Sequence, residues 1–199
     1  MNSNLLMIFI KNPVEGEVKT RLGSSIGSTN ALQIYKKLLT HTREVASQVE
    51  TNRQVWYSSK IDHRDSWNKE RFDKKLQSGS DLGERMSVAF QKAFEDGYEK
   101  VVIIGSDCAD ITSRHIKDAF HALNAKDAVI GPSKDGGYYL LGIRKYTPDI
   151  FSGISWSTQE VFEQTVSRFE HLGLSYSVLD VLNDIDTIED LRDSNLSLT

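Results

Sequence analysis

Six short apolar runs punctuate the chain, each followed by turn or charged residues: LLMIFI (5–10), QVWYS (54–58), VVIIG (101–105), AVIG (128–131), YYLLGI (138–143) and YSVL (176–179). Runs this short and this apolar read as strands buried on both faces. Between them the apolar residues follow a helical stripe instead. Ala31, Ile34, Tyr35, Leu38, Val45, Ala46 and Val49 share one face of 28–49, and Leu82, Met86, Ala89, Phe90, Ala93 and Phe94 share one face of 82–96. Asp81 and Glu84 are spaced for a capping box at the start of the second of these. Further helices are expected near 112–123, 158–171 and 187–193. The charged stretch IDHRDSWNKERFDKK (61–75) reads as a solvated surface helix, and residues 190–199 as a frayed tail. Strands alternating with helices over short links predict an α/β fold, a mostly parallel central sheet flanked by helices. No repeat, low-complexity tract or linker divides the 199 residues, so a single domain over 1–199 is expected.

Charge and cysteine usage narrow the functional classes. A net charge of −4 gives no chain-wide basic field for nucleic acid, so any affinity for phosphate has to be local. The single cysteine, Cys108, excludes an internal disulfide framework and suits a reducing, cytoplasmic setting; it is expected to pack as a small buried residue. No apolar run reaches the roughly 20 residues of a membrane span. The five histidines show no metal-ligand spacing.

In open parallel sheets, ligands bind beyond the carboxyl ends of the strands, so the residues that follow each strand are the candidates. After the first strand comes KNPVEGEVKTRLGSSIG, with Lys11, Gly16, Lys19 and Arg21. Backbone N–H groups of a glycine-bearing turn can cradle an anion, and Lys19 and Arg21 add charge-assisted bonds; a solvated basic turn is the plainer alternative. Neither GxGxxG nor GxxxxGK[ST] is present, so no dinucleotide fingerprint or P-loop is predicted. Asp107 follows VVIIG and is placed to hold a hard divalent cation. Asp184 and Asp186 in NDID point to one side of an extended segment and can approach the same ion; helix capping by Asp186 or Thr187 is compatible with that. Asp135, Gly136 and Gly137 follow AVIG, either near a ligand or as a plain turn. Gly83 and Arg85 at a helix start can meet an anion or a base edge, and Trp156 either stacks on a ring or buries.

Taken in order, KNPVEGEVKTRL, DLGERM, GSDCADIT, GPSKDGGYYLLG and DIDTIEDL resemble the bacterial DUF2064 family, a glycosyltransferase-A-type, nucleotide-diphospho-sugar transferase-like (GT-A-like) group. The resemblance runs from about residue 5 to 192 and departs at Ala109 and Ile188, where the family pattern carries proline. It implies a GT-A-like nucleotide-binding fold. Lys11, Gly16, Lys19 and Arg21 would then hold nucleotide phosphate, with Gly83 and Arg85 near the nucleotide. Asp135, Gly136, Gly137 and Trp156 would lie near the sugar or acceptor. Asp107, with Asp184 or Asp186, would hold Mg²⁺ or Mn²⁺.

The first functional expectation is metal-dependent glycosyl transfer from a nucleotide-diphospho-sugar to an unidentified acceptor, with Asp135 as the candidate base and Lys19 and Arg21 neutralising the departing diphosphate. The alternative is nucleotidyl transfer from a nucleoside triphosphate to a phosphorylated small molecule, with release of pyrophosphate. The KTRL run resembles the arginine-bearing loops of such enzymes, which keeps the alternative close, and the missing Gly-Gly dipeptide before the loop, common in that class, counts against it. A nucleotide sensor without turnover is a third class, disfavoured by the intact acidic and basic clusters. The oligomeric state is not encoded legibly.

Overall fold

The computed structural model describes residues 3–194 and 196. A seven-stranded sheet runs through the centre. Its strands are β1 (Asn4–Ile10), β2 (Asn52–Tyr57), β3 (Asp73–Leu76), β4 (Lys100–Ile104), β5 (Ala128–Pro132), β6 (Tyr138–Ile143) and β7 (Tyr176–Val178), in the order β3-β2-β1-β4-β6-β5-β7. All neighbours pair in parallel except β6, which is antiparallel to both β4 and β5. The expected α/β architecture is therefore present.

The reason lies in β1. Leu5 to Ile10 are buried without interruption, which requires cover on both faces of the sheet. Leu6, Ile8 and Ile10 face one core with α1 (Thr20–Ile26), α2 (Ser28–Ser47), α4 (Ser113–Ala122) and α6 (Ile188–Asp193). Leu5, Met7 and Phe9 face the other, with α3 (Leu82–Glu95), a 3₁₀ turn at Pro148–Phe151 and α5 (Val161–His171). The period-2 alternation of a strand thus feeds two helical layers. Among the described residues no helix is long and apolar enough to cross a membrane.

Three expectations are corrected. The stretch 61–75 is not a helix: 61–72 is irregular and 73–75 belong to edge strand β3. Trp67 and Phe72 are buried there edge to face, with ring centroids 5.0 Å apart, and Asp65 binds both Lys74 and the Tyr57 hydroxyl. Lysines on an edge strand discourage further pairing, and in the sequence they look like a solvated helix. Secondly, KTRLGSSIG is not only a loop, because Thr20–Ile26 forms α1. Thirdly, residues 190–193 are the end of α6 and not frayed; Asn195 and residues 197–199 of that expected tail lie outside the described residues.

Two caps match the expected chemistry in modified form. Asp81 accepts from the Glu84 N–H at 2.9 Å, while the Glu84 carboxylate reaches back to Ser80. Thr187 with Asp190 closes the box on α6, which leaves Asp186 uncommitted to capping.

Candidate active site

The carboxyl ends of the strands open into a cleft of about 890 Å³, large enough for a nucleotide and a second small molecule. Its frame is built from polar side chains that join neighbouring strand ends. The buried Tyr35 hydroxyl, carried up from α2, accepts from the Lys11 N–H at 2.8 Å, donates to the Lys11 carbonyl and meets Ser106 Oγ at 3.1 Å, which ties the exits of β1 and β4 together. Burial, with the charge of Asp107 adding to it, raises the pKa of this phenol, so it remains a donor. Asn12 ties the exit of β1 to that of β2: Oδ1 accepts from the Ser59 N–H at 3.0 Å and Nδ2 donates to the Lys60 carbonyl at 2.8 Å. Gln77 donates to the carbonyls of Ile10 and Trp56.

The floor is an acid cluster around one buried cation. Lys19 Nζ lies 2.7 Å from Asp107 Oδ1 and 3.0 Å from Asp186 Oδ1, and its side chain is 4% exposed. Burial alone lowers an ammonium pKa, but the two carboxylates more than offset it and the Lys19 pKa is raised. Residues 182–186 reach this floor by crossing two strand ends. Leu182 pairs with Ser133 and Asp184 with Cys108, and the Ile185 N–H donates to the Asp107 carbonyl at 2.9 Å. Ile185 turns into the core, so Asp184 and Asp186 fall on the cleft side, as the extended spacing predicts. Asp184 Oδ1 is buried with no hydrogen-bond partner. Burial first, and then the charges of Asp107, Asp135 and Asp186 against the opposing Lys19, push its pKa up to about 7.

The rim is cationic. Lys11, Arg21 and Arg85 line the cleft. The Arg21 side chain is 75% exposed, and its nearest carboxylate oxygen, Asp186 Oδ2, is 4.0 Å away. Arg85 is anchored by Nε to the Gly79 carbonyl, and among the described residues neither Lys11 nor Arg85 forms an ion pair.

The expected site residues therefore divide into two sets. Lys11, Lys19, Arg21, Arg85, Asp107, Asp135, Gly137, Trp156, Asp184 and Asp186 line a single cleft. Lys19, expected at the phosphate, instead sits among the carboxylates expected at the metal. Gly16, Gly83 and Gly136 do not line the cleft. Gly16 has φ +80° in an exposed turn, with open space where a side chain would go. Gly83 lies under Trp156, since a Cβ there would stand 2.2 Å from the indole. Gly136, at φ +88°, lies against the Gln159 carbonyl, and its own carbonyl accepts from Phe162 N–H at the start of α5. The turn reading of Asp135 is realised: Oδ1 accepts from Ser133 Oγ at 2.6 Å and from the Gly137 N–H at 2.9 Å. Its carboxylate still lines the cleft, 133–137 being the β5–β6 turn.

Asn12, Tyr35, Ser106 and Gln77 are the framing residues that sequence reasoning missed. Tyr35 reads as one more core position on the α2 stripe, and only its hydroxyl distinguishes it. Ser157 was missed as well. It and Lys19 are the two non-glycine residues with positive φ among those described, and both line the cleft; such backbone strain gathers at functional sites. Cys108 is buried as expected, and burial beside Asp184 pushes its thiol pKa up to about 12, so it is no nucleophile.

Comparison with known proteins is consistent with this architecture. Residues 41–158 match a family described as "Uncharacterized protein conserved in bacteria (DUF2064)". A solved structure from Desulfovibrio desulfuricans G20, described as a candidate nucleotide-diphospho-sugar transferase, is 35% identical and superposes with a TM-score of 0.90, over 99% of this chain and 90% of that one. A 2-phospho-L-lactate guanylyltransferase from Methanocaldococcus vulcanius is 33% identical over 129 residues, which span 60% of this chain and only 56% of the relative. The 4-diphosphocytidyl-2C-methyl-D-erythritol synthase of Anaerococcus prevotii shares the fold, with a TM-score of 0.59 at 13% identity over 98% and 95% of the two chains.

Proposed function

This chain belongs to the DUF2064 family, and from that premise we propose that it is a nucleotidyltransferase acting on a nucleoside triphosphate and a phosphorylated small molecule. The observation that carries the reading is the polarity of the cleft: a rim of cations without close carboxylate partners stands over a floor with more carboxylates than cations. A polyphosphate fits the first and an electropositive partner the second. Of the two reactions expected from the sequence, the guanylyltransferase relative favours nucleotidyl over glycosyl transfer.

In this mechanism Lys11, Arg21 and Arg85 bind the triphosphate and hold it in line with the acceptor. An acceptor phosphate oxygen attacks the α-phosphorus, the bond from that phosphorus to the α,β-bridging oxygen breaks, and pyrophosphate leaves with its charge matched by the rim cations. Asp135, fixed by Ser133 and Gly137, orients the acceptor side of the cleft. Its role as a general base belongs to the glycosyl reading and is not needed, because an acceptor phosphate is already ionised.

The residues present also fit a divalent cation. Asp184 Oδ1 is buried and unpartnered, and hard cations such as Mg²⁺ or Mn²⁺ take one or two carboxylates together with phosphate oxygens. Asp107, Asp184 and Asp186 would hold the ion, which when bound supplies positive charge beside the reacting phosphate.

Thermal shift with each nucleoside triphosphate and the corresponding nucleotide-diphospho-sugar, with Mg²⁺ or Mn²⁺, tests the proposal. A triphosphate at a hundred times its Kd adds about 2.7 kcal/mol of stability. Stabilisation by diphospho-sugars and none by triphosphates would return the cleft to glycosyl transfer. Arg21→Ala should weaken triphosphate binding by about 10- to 100-fold, the loss of one charge-assisted contact. Its melting temperature should hardly move, because an exposed pair at 4.0 Å contributes little. Unchanged titration calorimetry for this variant would mark the loop as a plain basic turn.

A further inference from the structure

We propose that Lys19 is a built-in cation that keeps the seat of the divalent ion between Asp107 and Asp186, so that metal is admitted only together with the polyphosphate that gives Lys19 a new partner. The inference rests on the nucleotidyl-transfer reading for the identity of that polyphosphate, and on this chain's own geometry for the rest.

Lys19 Nζ is within 3.0 Å of one oxygen from each carboxylate, and its side chain is almost sealed from solvent. An ammonium in that setting persists only where its charge is matched, and here it is matched by oxygens of the kind a hard cation requires. The third carboxylate receives no hydrogen bond from it, since Asp184 Oδ1 is buried without a donor. Three carboxylates around one ammonium leave the floor short of positive charge, so Lys19 balances the cluster only in part. Among the described residues no group of three acidic, histidine or cysteine side chains is gathered closely enough to hold a metal as it stands. Lys19 is interposed between Asp107 and Asp186.

The exchange follows from charge balance. A metal ion arriving alone would take Asp107 and Asp186 from Lys19 and strand a buried ammonium, which is costly. A metal ion arriving with a polyphosphate brings the replacement anion. The four-carbon stem lets Nζ pivot from carboxylate to phosphate while the backbone at φ 49° stays in place. Metal and nucleotide are then taken up with positive coupling, each raising affinity for the other. Lys19 is a positioning residue on this account, acting through the two aspartates.

The test is titration of Mn²⁺ alone, read as free Mn²⁺ by electron paramagnetic resonance, into the parent protein, Lys19→Gln and Lys19→Arg. Lys19→Gln should bind one Mn²⁺ at least ~10-fold more tightly than the parent, the range by which a neighbouring group tunes metal affinity. Lys19→Arg keeps the charge and should remain as weak as the parent. Equal affinity in parent and Lys19→Gln, or tight binding by Lys19→Arg, overturns the proposal. If Lys19→Gln does not fold by itself, millimolar Mn²⁺ should restore its circular dichroism and melting transition, and failure to restore them overturns the proposal too. No nucleotide enters this experiment, so its failure leaves the nucleotidyl-transfer reading standing. A triphosphate panel without binding would leave the Mn²⁺ result standing in turn.

Discussion

Asp107→Asn should lower turnover by about three orders of magnitude, roughly 4 kcal/mol of transition-state stabilisation, while the melting temperature shifts by only a few degrees. The two halves of that expectation have separate causes. For stability, the substitution takes one carboxylate from Lys19, which keeps Asp186 at 3.0 Å. It also removes the largest source of charge repulsion on Asp184, and the two effects oppose each other. For activity nothing compensates, because Asp107 is the carboxylate that β4 delivers directly to the floor of the cleft and its side chain is 42% exposed there. Turnover and melting measured on one preparation separate the two. A variant that melts normally and turns over normally would reduce Asp107 to a counter-ion of Lys19.

The second large effect concerns stability. Gly136→Ala should cost about 3–5 kcal/mol, at the upper end for a single substitution. A Cβ at this position would stand 2.1 Å from the Gln159 carbonyl oxygen, a backbone atom that cannot turn aside as a side chain end could. The left-handed φ of +88° adds strain of order 1 kcal/mol. The damage should spread, because the Gly136 carbonyl receives the Phe162 N–H at the start of α5, one of the donors a helix start leaves without an internal partner. Gly153→Ala is the matched control. Its φ is +72° with open space around it, so it should show the backbone strain alone, about 1 kcal/mol. Chemical denaturation of the pair measures the difference, and equal losses would mean that the β5–β6 turn does not lean on α5 as described.

What was legible in the sequence follows from the kind of signal each element carries. The six apolar runs are unbroken and the stripes of α2 and α3 are periodic, and patterns of this kind survive without coordinates. The cleft-side placement of Asp184 and Asp186 was legible for the same reason, since Ile185 between them is apolar and strands alternate. β3 was not legible: its DKKL has no apolar alternation, and its partner β2 is what makes it a strand. α1 was hidden because TRLGSSIG has little apolar character beyond Leu22 and Ile26, and the cations drew attention to charge over helicity. Least legible was the role of Lys19. Lys11, Lys19 and Arg21 are alike on paper as cations of one loop. Only the fold shows that one is sealed among carboxylates while the other two stand open at the rim. Charge type is written in a sequence, but charge pairing across 167 positions is not.

That same separation bears on the order in which the molecule assembles. Closing a segment of this length costs about 4–5 kcal/mol of chain entropy, more than one ion pair returns, so the Lys19–Asp186 contact cannot lead folding. It has to wait until sheet pairing has brought the ends near. On a ribosome, β1, β2 and β4 emerge and can pair well before residue 186 does, leaving Lys19 with Asp107 alone. Arrival of 182–186 across the strand ends, followed by the one-and-a-half turns of α6, is then the step that seals the floor. In the finished protein the same step is expected to reverse first, with 184–191 opening locally before the sheet does. Amide exchange at 184–191 should therefore outpace exchange in β1 and β4 by orders of magnitude.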